Sequence, residues 1–129
     1  MIDHIGFPVA DFAKSRAFYL KALAPLGFAP VMDVTKDQTG GYEGTGFGPP
    51  QKPAFWIGTG ETRGGTMHVA LEAKSRAAVD AFYAAAIAAG GRDNGAPGIR
   101  AHYHPDYYGA FVLDPDGHNI EAVCHTPER

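Results

Sequence analysis

Three residues of this 129-residue chain combine a type and a place that could hold an ion: His4, His68 and Glu121. Ile5, Phe7 and Val9 alternate with Ile2, His4 and Gly6, and Met67, Val69 and Leu71 alternate with Thr66, His68 and Ala70. A strand turns successive side chains to opposite faces, so each histidine lies opposite its large apolar neighbours. In the closing stretch Ile120, Ala122 and Cys124 share one face and leave Asn119, Glu121 and Val123 on the other. Two neutral imidazoles and one carboxylate form a common donor set for a divalent ion, with positions left open for water or substrate. The set suits Fe, Mn, Zn, Ni or Co, and affinity alone favours Zn or Ni over Mn. Taken singly, each residue has a plainer role: a strand histidine held by hydrogen bonds, or a glutamate in solvent. The case for a site rests on finding all three together, the two histidines at equivalent places of a repeat.

That repeat appears when the sequence slides by 64 positions, laying residues 4–27 on 68–91 without a gap. His4 meets His68, Ala17-Phe18-Tyr19 meets Ala81-Phe82-Tyr83, and Gly27 meets Gly91, with 8 identities in 24 positions. An alanine-rich helix supplies chance matches, but not a histidine, an aromatic pair and a glycine in one register. Duplication is the better account.

Each copy reads as strand, helix, then further strands. Asp11 and Ser75 are placed to cap helices near residues 11–24 and 75–89. Phe18, Ala22 and Leu26, and Val79, Phe82, Tyr83, Ala86 and Ile87, recur at helical spacing. Asp114-Pro115-Asp116-Gly117 predicts a tight hairpin between 110–113 and 119–124. Residues 40–53, rich in Gly and Pro, read as loop. The expected fold is α+β: two tandem βαβββ modules, about 1–60 and 64–125 of a single domain 1–129. Their strands are expected to form one curved mixed sheet around a cavity, with both helices outside.

The formal charge of -3, without a run of Lys or Arg, argues against nucleic acid or an anionic membrane as partner. No apolar stretch approaches the roughly 20 residues of a spanning helix. The start, MIDHIGFPVAD, lacks the marks of a signal peptide, and Cys124 alone supports no disulfide framework. A cytoplasmic location is expected, with Cys124 as a buried small hydrophobe.

Three segments, IDHIGFPVADFAKSRAFY, MHVALEAKSRAAVDAFY and YYGAFVLDPDGHNIEAV, resemble the vicinal oxygen chelate superfamily. It includes glyoxalase I, fosfomycin-resistance thiol transferases, extradiol dioxygenases and metal-free bleomycin-binding proteins. The likeness runs from Met1 to about His125. It implies metal ligands at His4, His68 and Glu121, the last following the DPDG turn. Some members use a fourth ligand from the last strand of the first module. That strand is expected at AFWIG, where the matching position is Trp56 or Ile57 and neither binds metal. The pattern therefore resembles the His, His, Glu members more than glyoxalase I. The resemblance implies an ion that binds two neighbouring oxygens of a small substrate, in a dioxygenase, lyase, isomerase or thiol transferase. The alternative it implies is a metal-silent protein that sequesters a small molecule, and a third is a structural or regulatory dimer. Relatives of this length usually form homodimers, with sites inside one chain or shared by two.

The segment His102-Tyr103-His104-Pro105-Asp106-Tyr107-Tyr108 is dense in proton-transfer groups and is expected at the cavity rim. His104 or Tyr108 is the candidate acid or base, and Tyr103, Tyr107 and Trp56 are candidates for the substrate pocket. An aromatic loop at a subunit contact, and Trp56 as core, are the plainer readings. Glu72 shares the face of His68 and could at most support the ligands. His118, in the hairpin turn, and His125, near the end, are expected in solvent.

Overall fold

The computed structural model describes residues 1–62 and 64–127. The first module contains β1 (Ile5–Pro8), α1 (Phe12–Ala22), β2 (Ala29–Val34), a short α2 (Lys36–Thr39), β3 (Gly44–Gly48) and β4 (Phe55–Gly58). The second contains β5 (His68–Glu72), α3 (Arg76–Ala88), β6 (Arg92–Ile99), β7 (Tyr108–Leu113) and β8 (Asn119–Cys124). Both caps form as the sequence predicts: Lys14 N–H donates to Asp11 and Ala78 N–H to Ser75, each at 3.1 Å.

The modules have one topology, which is the α+β architecture expected from the repeat. Their sheets run β1-β4-β3-β2 and β5-β8-β7-β6, each opening strand lying parallel to its closing strand. Repeat-equivalent residues are also packed alike: Phe18, Phe82, Ala22 and Ala86 are all buried.

One expectation is corrected. The strands form two four-stranded sheets rather than one curved sheet, and α1 touches α3. The physical reason lies in the alternation. Phe7, Phe55 and Ile57 of the first sheet, with Val9 just beyond β1, join Val69, Val112, Ile120 and Ala122 of the second in one apolar cluster, together with Phe18 and Phe82. Each sheet has one apolar face, and pooling both faces with the helices removes more apolar surface from water than two separate cores could. The helices are no isolated bundle, since α1 also packs on β4 and α3 on β6, β7 and β8. The second face of each sheet, carrying the alternate residues, is left outside this core.

A second correction concerns 40–53. Within it Gly44–Gly48 forms β3, buried at all five residues. A Cβ at Gly46 would lie 2.6 Å from Pro53 and 2.7 Å from the Trp56 ring, and one at Gly44 would meet the Tyr42 ring. These glycines are strand residues that leave room for aromatic rings above them.

The modules are clasped by the hairpin turn. The buried Tyr19 hydroxyl of α1 donates to Asp114 at 2.5 Å, and Asp114 also accepts the N–H groups of Asp116 and His118. Ala10 N–H donates to Asp116 at 2.9 Å. His118, expected in solvent, is only 7% exposed. Its Nδ1 accepts the Met67 N–H at 3.0 Å, and its ring meets Phe7 edge-on with centroids 4.6 Å apart. The turn bends the ring inward over the start of β5, so a polar residue in a turn becomes part of the module junction.

Candidate metal centre

β5 and β8 lie side by side in parallel, with His68 opposite Asn119 and Ala70 opposite Glu121. The shared face brings His68 Nε2 to 3.2 Å from Glu121 Oε1. Glu121 is 2% exposed, a depth at which a carboxylate requires partners. Its Oε2 accepts the hydroxyl of Tyr107. His68 Nδ1 lies 3.1 Å from the Asn119 carbonyl. A carbonyl only accepts, so Nδ1 carries the proton, which leaves Nε2 as the nitrogen that faces Glu121 and would bind an ion. Two acceptors facing each other repel unless a proton or a cation lies between them. The spacing is compatible with two donors each about 2.1 Å from one ion, and a carbonyl behind the imidazole is the support that a ligating histidine usually has. The pair thus offers two of the donors that a divalent metal would need.

His4 is not brought to this pair. It is exposed just before β1, with Nδ1 2.7 Å from Asp3, itself paired with Lys52 Nζ at 2.5 Å. The hydrogen bond from His4, then that from Lys52, lowers the Asp3 carboxyl below its usual range. A carboxylate on Nδ1 orients a histidine much as the carbonyl orients His68. Among the described residues, no group of three His, Cys, Asp or Glu could hold a metal within the chain. His4 precedes β1 of the first module, and the His68–Glu121 pair lies on β5 and β8 of the second.

The register also resolves the fourth position. In the first module Gly6 pairs with Trp56 as Ala70 pairs with Glu121 in the second, so Trp56, not Ile57, is the counterpart of Glu121. Trp56 lies half-buried with its ring over Gly46 and, with Tyr42, Gly6 and Gly58, lines a cleft of about 340 Å³, while Ile57 is core.

The 102–108 segment contributes one residue directly. Tyr107 reaches Glu121 because the preceding loop folds back: Tyr103 N–H donates to the Arg100 carbonyl, Tyr107 N–H to that of His104, and Arg100 N–H to that of Tyr107. Burial first, then the hydrogen bond to Glu121, holds the Tyr107 phenol well above the ordinary tyrosine range. Tyr108 points elsewhere, donating to Asp80 of α3 at 2.6 Å beneath Arg76. His104 is exposed and accepts the Asp106 N–H; its ring meets that of His125 with centroids 6.0 Å apart. Tyr103 packs on Tyr107, centroids 5.0 Å apart, and is 60% exposed. Glu72 is exposed at the far end of β5, and Cys124 is buried as expected. Two wall residues escaped the sequence reading. Phe111, paired with Glu121 across β7 and β8, stacks on His68, and Arg100 lies over Phe111. Extending the alternation from β8 into β7 would have found Phe111.

The model for the glyoxalase/bleomycin resistance protein/dioxygenase superfamily matches residues 1–122, and the chain belongs to that superfamily. Among solved structures, a glyoxalase/bleomycin resistance protein from Albidiferax ferrireducens T118 is 29% identical, with a TM-score of 0.71 over 97% of this chain and 98% of that one. A glyoxalase/bleomycin resistance protein/dioxygenase family enzyme from Burkholderia phytofirmans PsJN is 21% identical, with a TM-score of 0.67 over 97% and 98%. A glyoxalase I mutant from Zea mays is 20% identical, with a TM-score of 0.69 over 98% of this chain and 45% of that one. No curated protein matches. Among the described residues, no helix is long and apolar enough to cross a membrane.

Proposed function

We propose that the protein is a metal-dependent enzyme acting on a small substrate through two neighbouring oxygens, with each site shared between two copies of the chain. The observation that carries the reading is the buried Glu121 facing His68 Nε2 at 3.2 Å, a spacing at which both can bind one cation. His68 and Glu121 supply two ligands, and His4 of the partner subunit supplies the third. Two facts support the sharing: His4 and the pair belong to different modules, and among the described residues no third ligand of the same chain completes the pair. A twofold pairing of the outer faces would complete two identical sites at once. The metal, when bound, supplies a Lewis acid that stabilises negative charge developing on substrate oxygen. The chain's own residues bind and orient. His68, fixed by the Asn119 carbonyl, and Glu121, fixed by Tyr107, stand ready without rearrangement. Phe111 walls one side of His68.

The test is metal stoichiometry on wild type, His4→Ala, His68→Ala and an equal mixture of the two variants, refolded together. Each variant alone should lose binding by orders of magnitude. The mixture should recover one intact site per mixed dimer. Variants that bind as wild type does overturn the metal site. Loss without recovery in verified mixed dimers overturns the sharing.

A further inference from the structure

Glu121 has two oxygens in different situations: Oε1 faces His68, and Oε2 is taken by the Tyr107 hydroxyl. The close approach depends on Gly109. A Cβ there would lie 3.1 Å from the Tyr107 ring and 3.2 Å from Glu121 Oε2, tighter than such contacts normally are. The ring is itself braced edge-on by Tyr103 and by His125, with centroids 5.0 and 5.1 Å away.

We infer that Tyr107 is a positioning residue that reserves Oε2 of Glu121, so that the carboxylate can offer a metal only one oxygen. This rests on the metal reading given above. A carboxylate free at both oxygens can take up two coordination positions, whereas one pinned by a phenol takes up one. The position so spared stays available to the substrate's second oxygen. Gly109 is then a functional glycine, small so that phenol and carboxylate can meet.

The experiment loads metal-free protein with Co²⁺ and follows both affinity and the visible absorption, which reports the number and arrangement of ligands. Tyr107→Phe keeps the ring and its packing and removes only the hydroxyl. It should weaken Co²⁺ binding by about 10-fold or more, the usual range for losing a ligand's supporting hydrogen bond. It should also change the shape and intensity of the Co²⁺ band as Oε2 is released. Gly109→Ala, which crowds the same pair from the strand, should alter the band in a protein that keeps Tyr107. A purely structural role would move neither band in a folded variant, as judged by circular dichroism. Unchanged affinity and band in Tyr107→Phe, beside a wild type that binds Co²⁺, overturn this inference alone. A wild type that binds no Co²⁺ overturns the metal reading and this inference with it.

Discussion

Replacing Tyr19 by Phe removes the hydroxyl that ties α1 to the hairpin turn and leaves the rest of the ring in place. In the folded chain that hydroxyl donates to Asp114 at 2.5 Å, and both residues are at most 1% exposed. Asp114 keeps its bonds from the Asp116 and His118 N–H groups, so the loss is one of three rather than total desolvation. A buried hydrogen bond to a charged group contributes roughly 1.5–3 kcal/mol, and Tyr19→Phe should destabilise by that amount at neutral pH. The pH dependence has a definite sign. Burial first, then the negative charge of Asp114 and the hydrogen bond to it, raises the Tyr19 phenol well above its unfolded value of about 10. Below about pH 10 folded and unfolded chains both hold this proton, and its stabilisation is fully present. Above it the unfolded chain releases the proton and the folded chain does not, so wild type loses up to about 1.4 kcal/mol per pH unit through this group. The variant has no phenol to ionise there, so the gap should narrow as pH rises beyond about 10. Urea denaturation at fixed protein concentration, across pH 7 to 11, measures both effects. A variant as stable as wild type at neutral pH, or a gap that widens in alkali, would refute the reasoning.

Two further predictions probe where the structure departs from the sequence reading. His118→Ala should destabilise by roughly 1–3 kcal/mol, because it orphans the Met67 N–H and empties the space beside Phe7; a thermal midpoint equal to wild type would return His118 to solvent. Gly46→Ala should lower stability by about 1–3 kcal/mol through overpacking and red-shift the emission of Trp56, the sole tryptophan, as its ring is displaced. Unchanged emission and midpoint would mean that the ring does not rest on β3.

What the sequence determined is local and periodic. Asp11 and Ser75 cap their helices because a short oxygen-bearing side chain just before an amphipathic run satisfies the first free N–H groups wherever that run packs. The period of two along β1, β5 and β8 assigned Phe7, Val69 and Ile120 to the core and Glu121 to the other face, since strand geometry allows no other choice. The repeat marked His4 and His68 as equivalents and left the counterpart of Glu121 as Trp56 or Ile57, which only the strand register of the structure decided for Trp56. What only the tertiary structure decided involves residues far apart in sequence. Whether two apolar sheet faces share one core or two depends on how the modules dock, and their shared core keeps His4 apart from His68 and Glu121. The glycines of 44–48 resemble a loop until Tyr42 and Trp56 cover them. His118 looks like a turn residue until the turn meets Met67 and Phe7. Tyr107 rather than Tyr108 reaches Glu121 because the 100–107 loop folds back on itself before β7 begins, and only that fold sets where each ring goes.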